Sequence, residues 1–263
     1  MISKIILSPP FSNLYPDIKG TTRILGTYTL KKRKGMYRVL TTLRKTKGGW
    51  INNVGLRNPG ILKYNKKNSI ISISLEKIED WDSLYYYLYL KNRRYNIKGI
   101  EFNISCPNHN IININDQIIK QSKQIFQNTI IKMPHNAPLS FIDEICNTEI
   151  DMIHVSNSKK TNKGALSGIS LIEDNMLRIA YIKNKFDKKV IAGGGIYSFD
   201  DILRYKSVGA DHFSLGTCLI NPLKTLKIIK QMSQYQWFFY NHIFLLIPLK
   251  ALFQTINHHQ LKA

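Results

Sequence analysis

The run Gly99-Ile100-Glu101-Phe102-Asn103-Ile104-Ser105-Cys106-Pro107-Asn108 sets one thiol among amides. Its front half alternates apolar and polar side chains, as a short strand does. Pro107 cannot continue a strand ladder, so the strand is expected to end at Ser105-Cys106. The Cys106 thiol and the amides of Asn103 and Asn108 then lie at and just beyond the carboxyl end of one strand. In a parallel α/β fold, that is the end where chemistry is carried out. A lone cysteine most often packs as a small hydrophobe. Here Asn-x-x-Cys-Pro-Asn is too polar for an ordinary core corner and suits a thiol acting as acid or base.

Other strand ends offer matching groups. Ile131-Lys132-Met133-Pro134 puts a lysine just inside a strand, and a buried amine needs a partner such as an anionic cofactor ring. Val155-Ser156-Asn157-Ser158 brings an amide and hydroxyls, and Asn52-Asn53-Val54-Gly55-Leu56-Arg57-Asn58-Pro59-Gly60 is a loop rich in amides. Amides on Asn52, Asn103, Asn108 and Asn157 would surround a planar, amide-rich ligand. Two glycine sites come late: Gly193-Gly194-Gly195-Ile196, before a helix starting near Phe199, and Leu215-Gly216-Thr217 after the last strand. Phosphate approaches a backbone only where side chains are absent, and helix N-termini and exposed N–H groups bind its charge. In (β/α) barrels such a site commonly follows strands seven and eight. Gly164-Ala165-Leu166-Ser167-Gly168 reads as a flexible or phosphate-facing loop.

These residues need a scaffold that brings strand ends together. Strands are expected at Lys4–Leu7, Arg23–Leu30, Ile70–Ser74, Gly99–Ile104, Thr129–Met133, Met152–Val155, Val190–Ala192 and His212–Leu215. Helices are expected at Asp80–Arg93, Asn115–Gln127, Leu139–Cys146, Leu171–Lys185, Phe199–Tyr205 and Leu223–Met232. A hairpin spans Tyr37 to Asn53, with Lys47-Gly48-Gly49 as its turn, and Lys31 to Gly35 is a basic loop. Eight mostly parallel strands joined through helices favour a closed (β/α)8 barrel of the TIM type. No linker or repeat divides the chain, so residues 1–235 read as one barrel domain. The apolar tail, 236–263, is expected to pack on it or extend it.

The 263 residues carry 38 Lys and Arg against 17 Asp and Glu, a net charge of +21. Such an excess attracts phosphate, nucleic acid or an anionic membrane. The lysines are scattered and Ile, Asn and Lys abound throughout, so compositional drift is favoured over a dedicated nucleic-acid surface. Cys106, Cys146 and Cys218 lie far apart without a Cys-x-x-Cys, which excludes a sequence-evident zinc or iron–sulfur site and fits a reducing, cytoplasmic setting. No secretory signal is evident, and the longest apolar run, Ile243 to Leu249, is too short to span a bilayer.

The sequence from about Leu7 to Pro222 resembles the dihydroorotate dehydrogenase family of flavin barrels. The resemblance rests on Asn103-Ile104-Ser105-Cys106-Pro107-Asn108, Gly164-Ala165-Leu166-Ser167-Gly168, Gly193-Gly194-Gly195-Ile196 and Leu215-Gly216-Thr217, with support from Asn52 to Leu56 and Asn157-Ser158. A cysteine at 106 resembles the soluble class 1; the membrane-associated class has serine there. The resemblance implies FMN as cofactor and oxidation of dihydroorotate to orotate in pyrimidine synthesis. Cys106 would remove a proton from C5. Asn52, Gly55, Leu56, Asn103, Asn108, Asn157 and Ser158 would hold substrate. Lys132 would lie against the flavin, and Gly168, Gly194, Gly195, Gly216 and Thr217 would frame it and its phosphate. Relatives are often homodimers, and an NAD route would need an iron–sulfur and flavin partner subunit. Gly26 aligns with a family lysine that contacts flavin and substrate, and Arg23 lies nearby. Two other readings stay open: an enzyme like tRNA dihydrouridine synthase, and a flavin barrel that has lost catalysis.

Overall fold

The structure is a computed structural model that describes residues 1–34, 42–53, 55–104, 114–156 and 158–238. Eight strands close into a parallel barrel: β1 (Ile5–Leu7), β2 (Thr21–Tyr28), β5 (Ile70–Ile73), β6 (Gly99–Asn103), β7 (Thr129–Lys132), β8 (Met152–Val155), β11 (Lys189–Gly193) and β12 (His212–Leu215). Each pairs in parallel with its neighbours, and β1 closes the ring by pairing with both β12 and β2. The expected (β/α)8 barrel is therefore the fold.

Period-two alternation explains how these short strands fill both faces. Ile6, Ile24, Ile70, Ile130, Met152 and Ile191 form the apolar plug inside the barrel. Their sequence neighbours, among them Leu7, Leu25, Ile71, Ile131, Ile153 and Val190, pack outward against the helices. Those helices are α1 (Trp81–Tyr95), α2 (Asp116–Ile125), α3 (Leu139–Asn147), α4 (Ile172–Lys185) and α5 (Phe199–Ser207). Residues 222–238 form a further helix, α6, which runs beyond the Met232 end expected from sequence. Helix α1 shows the pattern: Trp81, Leu84 and Leu88 share the buried face. Asn115 starts α2 by accepting the Ile118 N–H at 3.0 Å.

A second sheet comprises β3 (Arg44–Thr46), β4 (Gly49–Asn52), β9 (Lys159–Thr161) and β10 (Gly164–Ser167), in the order β3-β4-β10-β9. The hairpin expected from Tyr37 is present as β3 and β4, while residues 35–41 lie outside the described residues. The second hairpin corrects the loop reading of Gly164 to Gly168. Its few apolar residues hide the alternation, and the strand is held by pairing on both sides, Ala165 opposite Asn52 and Lys160. Gly164 takes φ +126°, and a Cβ there would stand 2.7 Å from the Asn52 carbonyl oxygen. The tail residues 239–263 lie outside the described residues.

Candidate active site

Above the apolar plug, the next inward positions toward the carboxyl ends of the strands are polar. Ser8 and Ser214 share a hydrogen bond at 2.5 Å. Asn103 donates to the Thr27 hydroxyl at 2.8 Å, and Thr27 bonds Ser72 at 3.2 Å. Glu101 Oε2 meets His154 Nδ1 at 2.5 Å, with both side chains fully enclosed. Asn103, Lys132 and His154 stand side by side in register at the ends of β6, β7 and β8. A barrel interior ordinarily fills with branched apolar side chains. A polar layer at this depth forms a floor for a ligand.

Lys132 is half-buried in that floor, and its ammonium has no hydrogen-bond partner among the described residues. Burial pulls its pKa down, while the nearby Glu101 carboxylate pulls it back up. Burial alone would raise the Glu101 pKa, but His154 and Lys132 reverse this and keep the carboxyl below its ordinary range. Burial holds His154 below its ordinary pKa, so the ring is neutral near pH 7. An ionised carboxylate only accepts, so Nδ1 carries the ring proton toward Glu101.

The other expected residues divide into those the structure brings together and those it does not describe. Asn103 and Lys132 share the floor. Asn52 ends β4 on the second sheet, its amide 3.4 Å from the Ala165 carbonyl oxygen. Gly55 takes φ +69°, and Leu56 is half-buried with its carbonyl accepting from Asn58 at 2.7 Å. Asn58 anchors this loop. It is buried, accepts from the Thr29 and Gly60 N–H groups at 3.1 and 2.8 Å, and fixes residues 56–60 to the end of β2. Ser158 bonds the Ser167 hydroxyl at 2.8 Å. Cys106, Asn108 and Asn157 lie outside the described residues.

The glycines serve two purposes. Gly194 and Gly195 follow β11 with φ +80° and +83°, and neither N–H is taken among the described residues. Gly216 follows the neighbouring β12, and a Cβ there would meet nothing within 4 Å. Its neighbour Thr217 accepts a hydrogen bond from the Tyr197 hydroxyl at 2.7 Å. This turn and open space suit a phosphate. The helix N-terminus expected to help is already occupied: Asp201 accepts from the Tyr197 and Ser198 N–H groups at 2.9 and 2.8 Å in a capping box. Gly168 instead serves packing, because a Cβ there would stand 2.5 Å from the Gly49 Cα.

At the aligned lysine position, Gly26 has φ +132°, and a Cβ would fall 2.9 Å from the Tyr28 nitrogen and closer still to the Ser72 carbonyl oxygen. Asn13 secures this backbone, donating to the Gly26 carbonyl at 2.7 Å and accepting its N–H at 3.0 Å. Arg23 does not substitute. It lies on the outer side of β2, pairing with Asp17 at 2.6 Å and donating to the Tyr15 carbonyl at 2.7 Å.

Charge is distributed less evenly than the sequence suggests. On the helical side of the barrel, Lys123, Lys183 and Lys185 pair with Asp151, Asp211 and Asp143, and Arg204 pairs with Glu173. On the second sheet, Arg44, Lys45, Lys47, Lys159, Lys160 and Lys163 are exposed, and none is in an ion pair among the described residues. Register puts Lys45 and Lys160 on the same face as Asn52. The remaining thiols are poor candidates for chemistry, because burial pushes both Cys146 and Cys218 up to about 11.

Glu101 and His154 escaped the sequence reading. The available signal was a charged residue at an inward position of an otherwise apolar strand, two before Asn103 in one case and opposite Lys132 in the other.

No family model matches the chain. Among curated proteins, the dihydroorotate dehydrogenase B (NAD(+)) catalytic subunit of Thermoanaerobacter pseudethanolicus is 30% identical over 230 residues, covering 73% of this chain and 74% of that one. The protein of the same name from Malacoplasma penetrans is 27% identical over 256 residues, covering 85% and 83%. Among solved structures, the ligand-free DHODH of Eimeria tenella superposes with a TM-score of 0.63 at 14% identity, over 87% of this chain and 83% of that one. The same enzyme in complex with ferulenol gives 0.60 at 13%, over 87% and 80%. The structural likeness is one of fold, and the sequence likeness carries the assignment: this chain belongs to the dihydroorotate dehydrogenase family.

Proposed function

We propose that the chain is an FMN-dependent oxidoreductase that converts dihydroorotate to orotate in pyrimidine synthesis. The observation that carries this reading is the half-buried, unpartnered ammonium of Lys132 beside Asn103, at the same barrel end as the open glycine turns 194–195 and 216. A flat ring bearing negative charge would supply that ammonium with a partner. The glycine turns would take the phosphate on backbone N–H groups. When bound there, FMN supplies the hydride acceptor for C6 of dihydroorotate.

The chain's own residues do the rest. Cys106 takes the proton from C5. Asn52, Asn103, Asn108, Asn157 and Ser158 hold the ring amides and carboxylate, with Gly55 and Leu56 shaping the loop beside them. Asn103 is pre-aimed, because its amide is already tied to Thr27. Lys132 orients the cofactor edge, and Thr217 sits beside the phosphate turn. The relatives are named as catalytic subunits, which supports a partner subunit carrying electrons onward from a cytoplasmic enzyme. A barrel that binds flavin without catalysis is the second reading, favoured by the Gly26 backbone, which leaves no room for the aligned lysine.

Orotate formation measured with an artificial electron acceptor tests the proposal. The wild-type protein is expected to turn over, and Cys106→Ala is expected to lose about 10²-fold or more. Tight FMN binding with no orotate in either protein would favour the second reading.

A further inference from the structure

Three ionisable groups lie together beneath the mouth on consecutive strands: Glu101 on β6, Lys132 on β7 and His154 on β8. Glu101 and His154 are fully enclosed, yet Glu101 Oε1 and His154 Nε2 have no hydrogen-bond partner among the described residues. Buried polar atoms are ordinarily satisfied, so two orphans on one contact call for an explanation. One carboxylate is serving two cationic partners. It accepts from the imidazole at 2.5 Å, and its charge also acts on the Lys132 ammonium. No other charged group acts on the ring. The flanking strand β11 offers only Ile191 and Gly193 at these inward positions, and β5 offers Ser72.

The proton count follows from this geometry. With Glu101 ionised, Lys132 protonated and His154 neutral, the cluster is electrically balanced. An anionic group above Lys132 draws on the ammonium and leaves the enclosed carboxylate and the incoming charge short of one positive charge. The free Nε2 is where a proton can be added without breaking the Nδ1 bond. We propose that His154 is a positioning residue for Lys132: it shares the Glu101 carboxylate with the ammonium and takes up one proton from solvent when an anionic ligand docks over the barrel mouth. This rests on the flavin-site reading and adds a linkage between ligand binding and protonation.

The test is the dissociation constant of FMN for the apoprotein, read by quenching of flavin fluorescence from pH 5 to pH 8. Proton uptake makes wild-type binding tighten as pH falls through the His154 titration. The FMN phosphate also titrates near pH 6, but equally for every variant. His154→Gln, which keeps a donor for Glu101, is expected to remove about tenfold of the wild-type affinity change between pH 5 and pH 7. A structural role alone would shift affinity at every pH and leave the slope unchanged, and that result would overturn the proposal. If His154→Gln fails to fold, NMR titration of the wild-type imidazole with and without FMN decides: a pKa raised by FMN supports uptake, and an unmoved pKa refutes it. FMN binding with the expected slope but no orotate formation would overturn the substrate reading alone. No FMN binding at any pH would overturn both.

Discussion

Gly49 and Gly168 meet backbone to backbone: a Cβ on Gly168 would stand 2.5 Å from the Gly49 Cα, and one on Gly49 would stand 2.7 Å from the Gly168 Cα. Their φ values are +144° and +145°, which only glycine adopts without strain. This contact locks the β3–β4 hairpin onto the end of β10, and Asn52 and Ser167 belong to the strands it holds. Gly168→Ala combines backbone strain with overpacking and is expected to cost about 2–4 kcal/mol in urea unfolding. A destabilisation within 0.5 kcal/mol, the range of a neutral surface change, would show that the hairpins can separate freely.

Restoring the aligned lysine is expected to fail. Gly26→Lys forces a Cβ against the Ser72 carbonyl oxygen and the Tyr28 nitrogen at a φ of +132°. A loss of about 2–4 kcal/mol is expected, with no gain in orotate formation. Increased turnover at undiminished stability would mean that the strand end accommodates a side chain.

At the opposite end of the barrel, Asp151 precedes β8 and clamps the start of β7. It accepts from the Thr129 N–H at 2.8 Å, the Thr129 hydroxyl at 2.7 Å and the Lys123 ammonium at 2.9 Å. Burial opposes ionisation, but these bonds outweigh it and hold the carboxyl below its ordinary range. A depressed carboxyl contributes stability above its unfolded pKa, about 3.9, which is lost as pH falls through the folded value. Asp151→Ala is expected to cost about 2 kcal/mol at pH 7 and progressively less below pH 4, with FMN affinity at pH 7 unchanged. A constant penalty across that range would contradict the assignment.

The unpaired cations of the second sheet should draw in an anionic substrate. At rising ionic strength, kcat/KM for dihydroorotate is expected to fall several-fold between about 0.05 and 0.5 M salt. Lys45→Gln with Lys160→Gln, on the Asn52 face, should blunt that dependence. An unchanged salt slope in the double variant would return the charge to compositional drift.

The barrel was legible because runs such as Ile70–Ile73 and Thr129–Lys132 have strand length and apolar content, separated by helical patterns. The β9–β10 hairpin was not, since Lys159 to Gly164 contains no apolar residue and its strands are defined by cross-strand pairing. The partnership of Glu101 with His154 spans 53 residues, and only parallel register across β6, β7 and β8 brings the two together. Lys132 and Asn103 were readable as strand-end residues. The clustering of charge was hidden because lysine is frequent everywhere in the sequence, and only the structure separates paired from unpaired cations.

The visible spectrum of the FMN-loaded protein under anaerobic conditions, before and after dihydroorotate, tests the central claim most directly. The account predicts a yellow protein whose flavin absorption bleaches on adding dihydroorotate, despite Gly26. A yellow protein that stays yellow would contradict the proposed substrate, and a protein that takes up no FMN would contradict the flavin site itself.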